Sequence, residues 1–278
     1  MSKKQNGAAS IVAELHRTLE RLLAETDRPS LTPNARRSLE GEIRDVINGL
    51  SQFLNDLDPI RQPTSVFDPG NPKIVGRFIS LALVAQPARR MAEIDRFYGS
   101  GVYAIYYDGG FPLYSPISGS ETPIYVGQAS PAINNAQTPT QQGNKLIGRL
   151  DEHRKNIRKA SSTLNLDDFS YRALVVASGW ETPAEDYLIH LFRPIWNNET
   201  KILFGLGKHG DDAETRANRR SPWDTVHPGR EWAANSRSTD AKSIEKIREE
   251  LDSHFATHPV FKDLDSVLAS FIEELRQV

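Results

Sequence analysis

The sequence predicts an α+β protein: a small mixed β-sheet flanked by helices, with helical extensions at both ends. Three observations lead there. Apolar residues at helical spacing fill the first sixty positions and return after residue 240. Two short β-branched and aromatic runs near the middle end in turn residues. A third such run alternates with helical segments, giving the order β-β-α-β-α, which packs helices on a sheet rather than sheet on sheet.

The elements follow in order. Ile11, Val12, Leu15, Leu19, Leu22 and Leu23 recur at steps that share one helix face. Thr32-Pro33 reads as an N-cap with proline at the first helical position. Leu39, Ile43, Val46, Ile47, Leu50, Phe53 and Leu54 then continue the pattern. Residues 1–60 are therefore expected to form a helical hairpin, either a cap on the core or an arm for self-association. A proline-rich loop (59–75) precedes a short apolar helix over Gly76 to Ala85, stopped near Pro87. Val102 to Tyr107 reads as a strand ended by Asp108-Gly109-Gly110, and Pro123 to Gly127 as a second strand. After a polar loop, Leu146, Ile147 and Leu150 mark a helix; Phe169 to Ala177 is a strand, and Thr182 caps a helix through Phe192. Residues 197–232 show no clean period, and two amphipathic helices fill 240–278. The expected core is 73–232.

Composition narrows the function classes. Hydrophobic residues at 38% and charged residues at 25% are those of a folded protein. There is no cysteine, which excludes disulfides and thiolate zinc sites and suits a reducing cytoplasm. The polar start MSKKQNGAAS does not read as a signal peptide, and no apolar run is long enough to span a bilayer, so a cytoplasmic location is expected. The net charge of -2 argues against nucleic acid until it is divided along the chain. Residues 61–239 carry 21 basic and 18 acidic side chains, while both ends are acidic. Lys145 to Lys159 alone holds six basic residues against two acidic ones, which permits a DNA-facing centre.

Gly101-Val102-Tyr103 and Tyr125-Val126-Gly127 resemble the two tripeptides that name the GIY-YIG nuclease superfamily, with valine for isoleucine in both. The rest of that pattern follows in order: Arg149 and His153 on the helix after the second strand, Glu185 on the next helix, and Asn197 behind Pro194. The resemblance covers about Phe97 to Asn198. The residue chemistry points the same way. Arg149 and His153 lie four apart and share a helix face. Tyr103 and Tyr125 share a sheet face if the hairpin register allows it. Glu185 is a natural oxygen ligand for Mg²⁺, with Mn²⁺ as a substitute, and Arg149 suits phosphoryl oxygens. A tyrosine or a histidine must take a proton from the attacking water; the resemblance favours Tyr103, with His153 assisting or acting itself. Tyr125 then orients phosphate or water, and Asn197 fixes the backbone or the hydrogen bonds of the site.

Residues 205–232, GLGKHGDDAETRANRRSPWDTVHPGREW, supply candidate DNA contacts in Lys208, His209, Arg216, Arg219, Arg220 and Arg230. The alternative is an ordered structural loop anchored by Trp223 and Trp232. Its SPWDTVHPGR segment is similar to type II restriction endonucleases of the superfamily that cut CCGCGG palindromes. The resemblance then extends from about Lys73 to Trp232. It implies a Mg²⁺-dependent type II restriction endonuclease acting on double-stranded DNA as a homodimer or higher homo-oligomer. The competing readings are a repair or mobile-element nuclease with loose specificity, and a catalytically inactive DNA-binding protein. With no zinc finger or helix-turn-helix in view, specificity falls to loops around the core.

Overall fold

The computed structural model describes residues 3–26, 32–57, 66–207, 219–234 and 239–276. The chain divides into two compact units, 1–66 and 67–278. The first holds α1 (Lys3–Glu25) and α2 (Pro33–Leu57). The Ala35 amide donates to Thr32 Oγ1, closing the first turn of α2. The large apolar side chains of both helices, Ile11 to Leu23 and Ile43 to Leu57, are 38–65% exposed.

In the second unit, α3 (Pro72–Val84) begins four residues before Gly76 because Asn71 accepts from the Lys73 amide and Pro72 takes the first helical position. The sheet holds β1 (Arg89–Arg90), β2 (Gly101–Tyr107), β3 (Tyr125–Ala129) and β4 (Phe169–Val175), in the order β1-β4-β2-β3. Every pairing is antiparallel, so the α+β class holds while the sheet is not mixed. The reason is topological. β3 and β4 run the same way, but α5 (Lys145–Lys159) carries the chain between them across β2, so each pairs with β2 and not with the other. A two-residue parallel ladder joins β5 (Arg219–Arg220) to β6 (Thr239–Asp240).

All seven residues of β2 are buried. Tyr103, Ile105 and Tyr107 pack with Leu146, Leu150, Trp196 and Trp223 on one face. Val102, Ala104 and Tyr106 pack with Leu83, Leu188 and Phe192 on the other. Burial on both faces explains why β2 reads as a continuous apolar run instead of an alternating one. α6 (Glu181–Phe192) starts on Glu181 and not on a Thr182 cap: the buried Glu181 carboxylate accepts from the Gly179 amide (2.7 Å) and from Ser100 Oγ (2.9 Å). After α7 (Pro222–Val226), the chain closes with α8 (Ile244–Thr257) and α9 (Leu264–Leu275). Among the described residues, no helix is long and apolar enough to cross a membrane.

Candidate active site

Two glycines set the geometry of the tripeptides. Gly101 opens β2 at φ 154, and a Cβ there would collide with the Leu174 carbonyl on β4. Only glycine lets the strands meet at that point. A Cβ on Gly127 would fall 2.5 Å from the Tyr103 hydroxyl. The glycine of the second tripeptide thus makes room for the tyrosine of the first.

The register pairs Tyr103 with Gly127 and Ile105 with Tyr125. The two tyrosines are therefore diagonal neighbours on one face, their ring centroids 6.1 Å apart. α5 packs over that face and adds His153, whose ring lies 4.7 Å from that of Tyr125. The Tyr103 hydroxyl and His153 Nε2 share a 2.7 Å hydrogen bond. One turn earlier, Arg149 is partly exposed and pairs with Glu152 at 2.6 Å. Glu185 approaches from α6. Asn197 completes the cluster from the segment after α6. Its Oδ1 accepts from the Val126 amide (3.0 Å) and its Nδ2 donates to the Val126 carbonyl (2.9 Å). β3 is an edge strand, so the Asn197 amide serves it as a one-residue neighbouring strand, fixing the backbone between Tyr125 and Gly127.

Tyr125, Arg149, Glu185 and Asn197 line one cleft of about 1310 Å³. Tyr103 and His153 are buried one layer behind it. Burial governs their proton affinities. It raises the Tyr103 phenol well above its usual range, with Tyr125 adding to the shift and the Arg149 charge opposing it. It pulls His153 down to about 3, helped by Arg149, so the imidazole is neutral. Glu185 is pushed up to about 7 by burial, with further repulsion from Glu199 and Asp186. A half-buried carboxyl facing other acids is short of positive charge, and a divalent cation would supply it. The donor set, a carboxylate beside an open cleft, suits an oxygen-binding ion that keeps several waters.

A family model described as the Eco29kI GIY-YIG domain matches residues 95–255, more than half the chain. The chain belongs to the Eco29kI-type family of GIY-YIG restriction endonucleases. Among curated proteins, nothing matches. Members of the Eco29kI-type family are DNA-cleaving hydrolases, and GIY-YIG nucleases generally use a divalent metal.

The Eco29kI-type match ends inside α8, beyond the expected core limit at Trp232. Within the arginine-rich segment, one expected DNA contact is buried. Arg230 is 0% exposed and cannot reach DNA. Its guanidinium grips both Asp224 oxygens at 2.6 Å, donates to the Gly205 carbonyl at 2.7 Å and stacks 4.9 Å from the Trp223 ring. The stretch from Trp223 to Arg230 is thus an internal strut. His227 belongs to it, bonded to Tyr114, which also accepts from the indole of Trp196 at 2.9 Å. Arg219 is exposed, and Arg220 pairs with Asp240 at 2.7 Å. Lys208, His209 and Arg216 lie outside the described residues.

Sequence reasoning missed two features. One is the buried Asp224–Arg230 pair, signalled only by opposite charges flanking the His227-Pro228-Gly229 turn. The other is the contribution of α8 to the cleft, for which an amphipathic pattern gives no sign.

Proposed function

We propose that this chain is a type II restriction endonuclease that hydrolyses both strands of a GC-rich palindrome, CCGCGG, through a site built on Tyr103, Tyr125, Arg149, His153, Glu185 and Asn197. The observation that carries this is a guanidinium and a carboxyl lining one open cleft, with a hydrogen-bonded phenol–imidazole pair buried one layer behind it. That is the inventory a phosphodiester hydrolysis needs.

Glu185 would hold a Mg²⁺ ion, for which Mn²⁺ could substitute. When bound, the ion polarises the phosphate and offsets charge on the leaving oxygen. The other steps belong to side chains of the chain itself. Tyr103 Oη takes the proton of the attacking water as its own proton passes along the hydrogen bond to His153 Nε2. The two residues act as one relay, which is why a neutral imidazole behind the phenol is useful. Arg149 leaves its exposed partner Glu152 to stabilise the charge that grows on the phosphoryl oxygens. Tyr125, at the cleft surface, orients the phosphate or the water. Arg219 and Arg220 supply DNA contacts from the segment before α7, as do Lys208, His209 and Arg216. A two-fold symmetric site is read by a homodimer, each subunit cutting one strand.

The test is digestion of a long defined DNA with Mg²⁺ or EDTA, beside Glu185→Ala and Tyr103→Phe. Discrete fragments ending at CCGCGG, lost in EDTA and in Glu185→Ala, are expected. A smear would mean cleavage without a defined site, and intact DNA that still shifts on a gel would mean binding without catalysis. Tyr103→Phe retaining cleavage within about tenfold, roughly 1.4 kcal/mol of barrier, would remove Tyr103 as the base.

A further inference from the structure

The cleft does not stop at the candidate active site. From Tyr125, Arg149 and Glu185 it runs along residues 198–207 to α8, a volume beyond the 300–1,000 Å³ of ordinary small-molecule pockets. A duplex cut at this site must continue past the scissile phosphate. With a net charge of -2, its hold on the chain has to come from local cations. We infer that the 198–207 loop and α8 form the far wall of the DNA channel, with Lys201 and Lys246 as phosphate-positioning residues. This rests on the DNA-cleaving reading above.

The wall is built, not incidental. Lys242 at the foot of α8 donates to the Lys201 carbonyl and to Glu250 (2.5 Å), and its ammonium lies 5.9 Å from the Phe204 ring. One side chain thus pins the loop to the helix and neutralises the Glu250 charge that would repel phosphate. Lys201 itself is held in the left-handed region at φ 57, a conformation that glycine or asparagine adopts more readily than lysine. Its carbonyl is fixed while its side chain stays exposed on the cleft. A strained residue at the rim of a functional cleft points to a requirement for what it presents there.

Lys246 lies in the first turn of α8, four residues on from Lys242. Its side chain is 58% exposed and meets Glu249, itself 71% exposed, at 3.4 Å. An ion pair that open to water contributes little, so a phosphate displaces it at small cost.

The test is fluorescence anisotropy of a short labelled duplex containing CCGCGG, titrated with the full chain across a range of salt, with Ca²⁺ in place of Mg²⁺. Each phosphate contact contributes about 0.9 to the slope of log affinity against log salt. Lys246→Gln and Lys201→Asn are each expected to lower that slope by about 1. The asparagine tolerates the left-handed backbone, and a melting curve identical to wild type shows that the loop is intact. Glu249→Gln should tighten binding, since it removes a competing anion. Lys262→Gln, away from the cleft on the Pro116 carbonyl, is the charge control. An unchanged slope in Lys246→Gln and Lys201→Asn, or an equal fall in Lys262→Gln, overturns the assignment. Failure of the wild-type chain to bind the duplex at all would instead overturn the DNA-cleaving reading beneath it.

Discussion

The surroundings of Glu185 oppose its own charge, and this has a consequence for stability. Its pKa rises from an ordinary 4.5 to about 7 on folding. Between those values the folded state binds more protons than the unfolded one, so stability falls as pH rises through that window. Glutamine in its place removes the penalty. In EDTA, Glu185→Gln is therefore expected to melt above wild type near pH 8 and together with it near pH 5, read by differential scanning fluorimetry. An equal offset at both pH values would show that burial does not act on this charge. Mg²⁺ should raise the wild-type melting point at the higher pH and leave the variant where it was. The six candidate side chains were legible because their local chemistry is distinctive: two tripeptides whose glycines are forced by strand contact, and an Arg–His pair at helical spacing. Proton affinities were not, because they depend on burial among residues distant in sequence. Tyr103 illustrates the gap. Burial at the centre of the core raises the proton affinity of its phenol, an effect that no local pattern announces.

At the scale of elements, strand β3 carries Tyr125 into the site, while the Trp223–Arg230 strut stays within the core. Asn197 supplies both hydrogen bonds to Val126 on the sheet edge. Asn197→Leu keeps the volume and strands a buried amide and carbonyl, costing about 1–3 kcal/mol per unsatisfied group. A lower unfolding midpoint in urea, together with lost cleavage, is expected. The strut makes a sharper contrast. Arg230→Ala removes one half of a buried ion pair, a change that costs about 3–5 kcal/mol in such settings. Arg219→Ala, at an exposed position, should leave the melting point alone and weaken DNA binding. Were Arg230→Ala to melt like wild type and lose only DNA affinity, the strut would have to be read as a binding loop after all. Segment order and type were legible through β2, α5 and α6, where period and turn residues agree. The cap on α6 was not, because Glu181 finds its partner Ser100 81 residues away. Nor was the role of α8, since spacing shows that a helix face is buried but not which residues meet it.

For the whole molecule, the division at residues 66 and 67 separates a unit that carries the candidate chemistry from one that carries exposed apolar surface. Leu15, Leu19 and Leu22 on α1, and Leu50, Phe53 and Leu54 on α2, are 38–65% exposed. Fully burying one such side chain contributes about 1.5–3 kcal/mol, so the exposed apolar faces of these two amphipathic helices are a driving force for association. The palindromic site proposed above asks for a two-fold axis, and a self-complementary pairing of these helices across such an axis would cover their apolar faces. The same sequence pattern left both a cap, the reading it favoured, and a self-association arm open, because a helix face announces that it will be covered without saying by what. The full chain is accordingly expected to run as a dimer or larger in light scattering. Leu19→Glu with Leu50→Glu, two charges at exposed positions that leave each helix its propensity, should lower that mass. On supercoiled plasmid the same double variant should give nicked circles where wild type gives linear product, since each nuclease unit then cuts one strand alone. An unchanged mass with linear product would assign the symmetric contact to the 67–278 unit and leave α1 and α2 outside DNA cleavage.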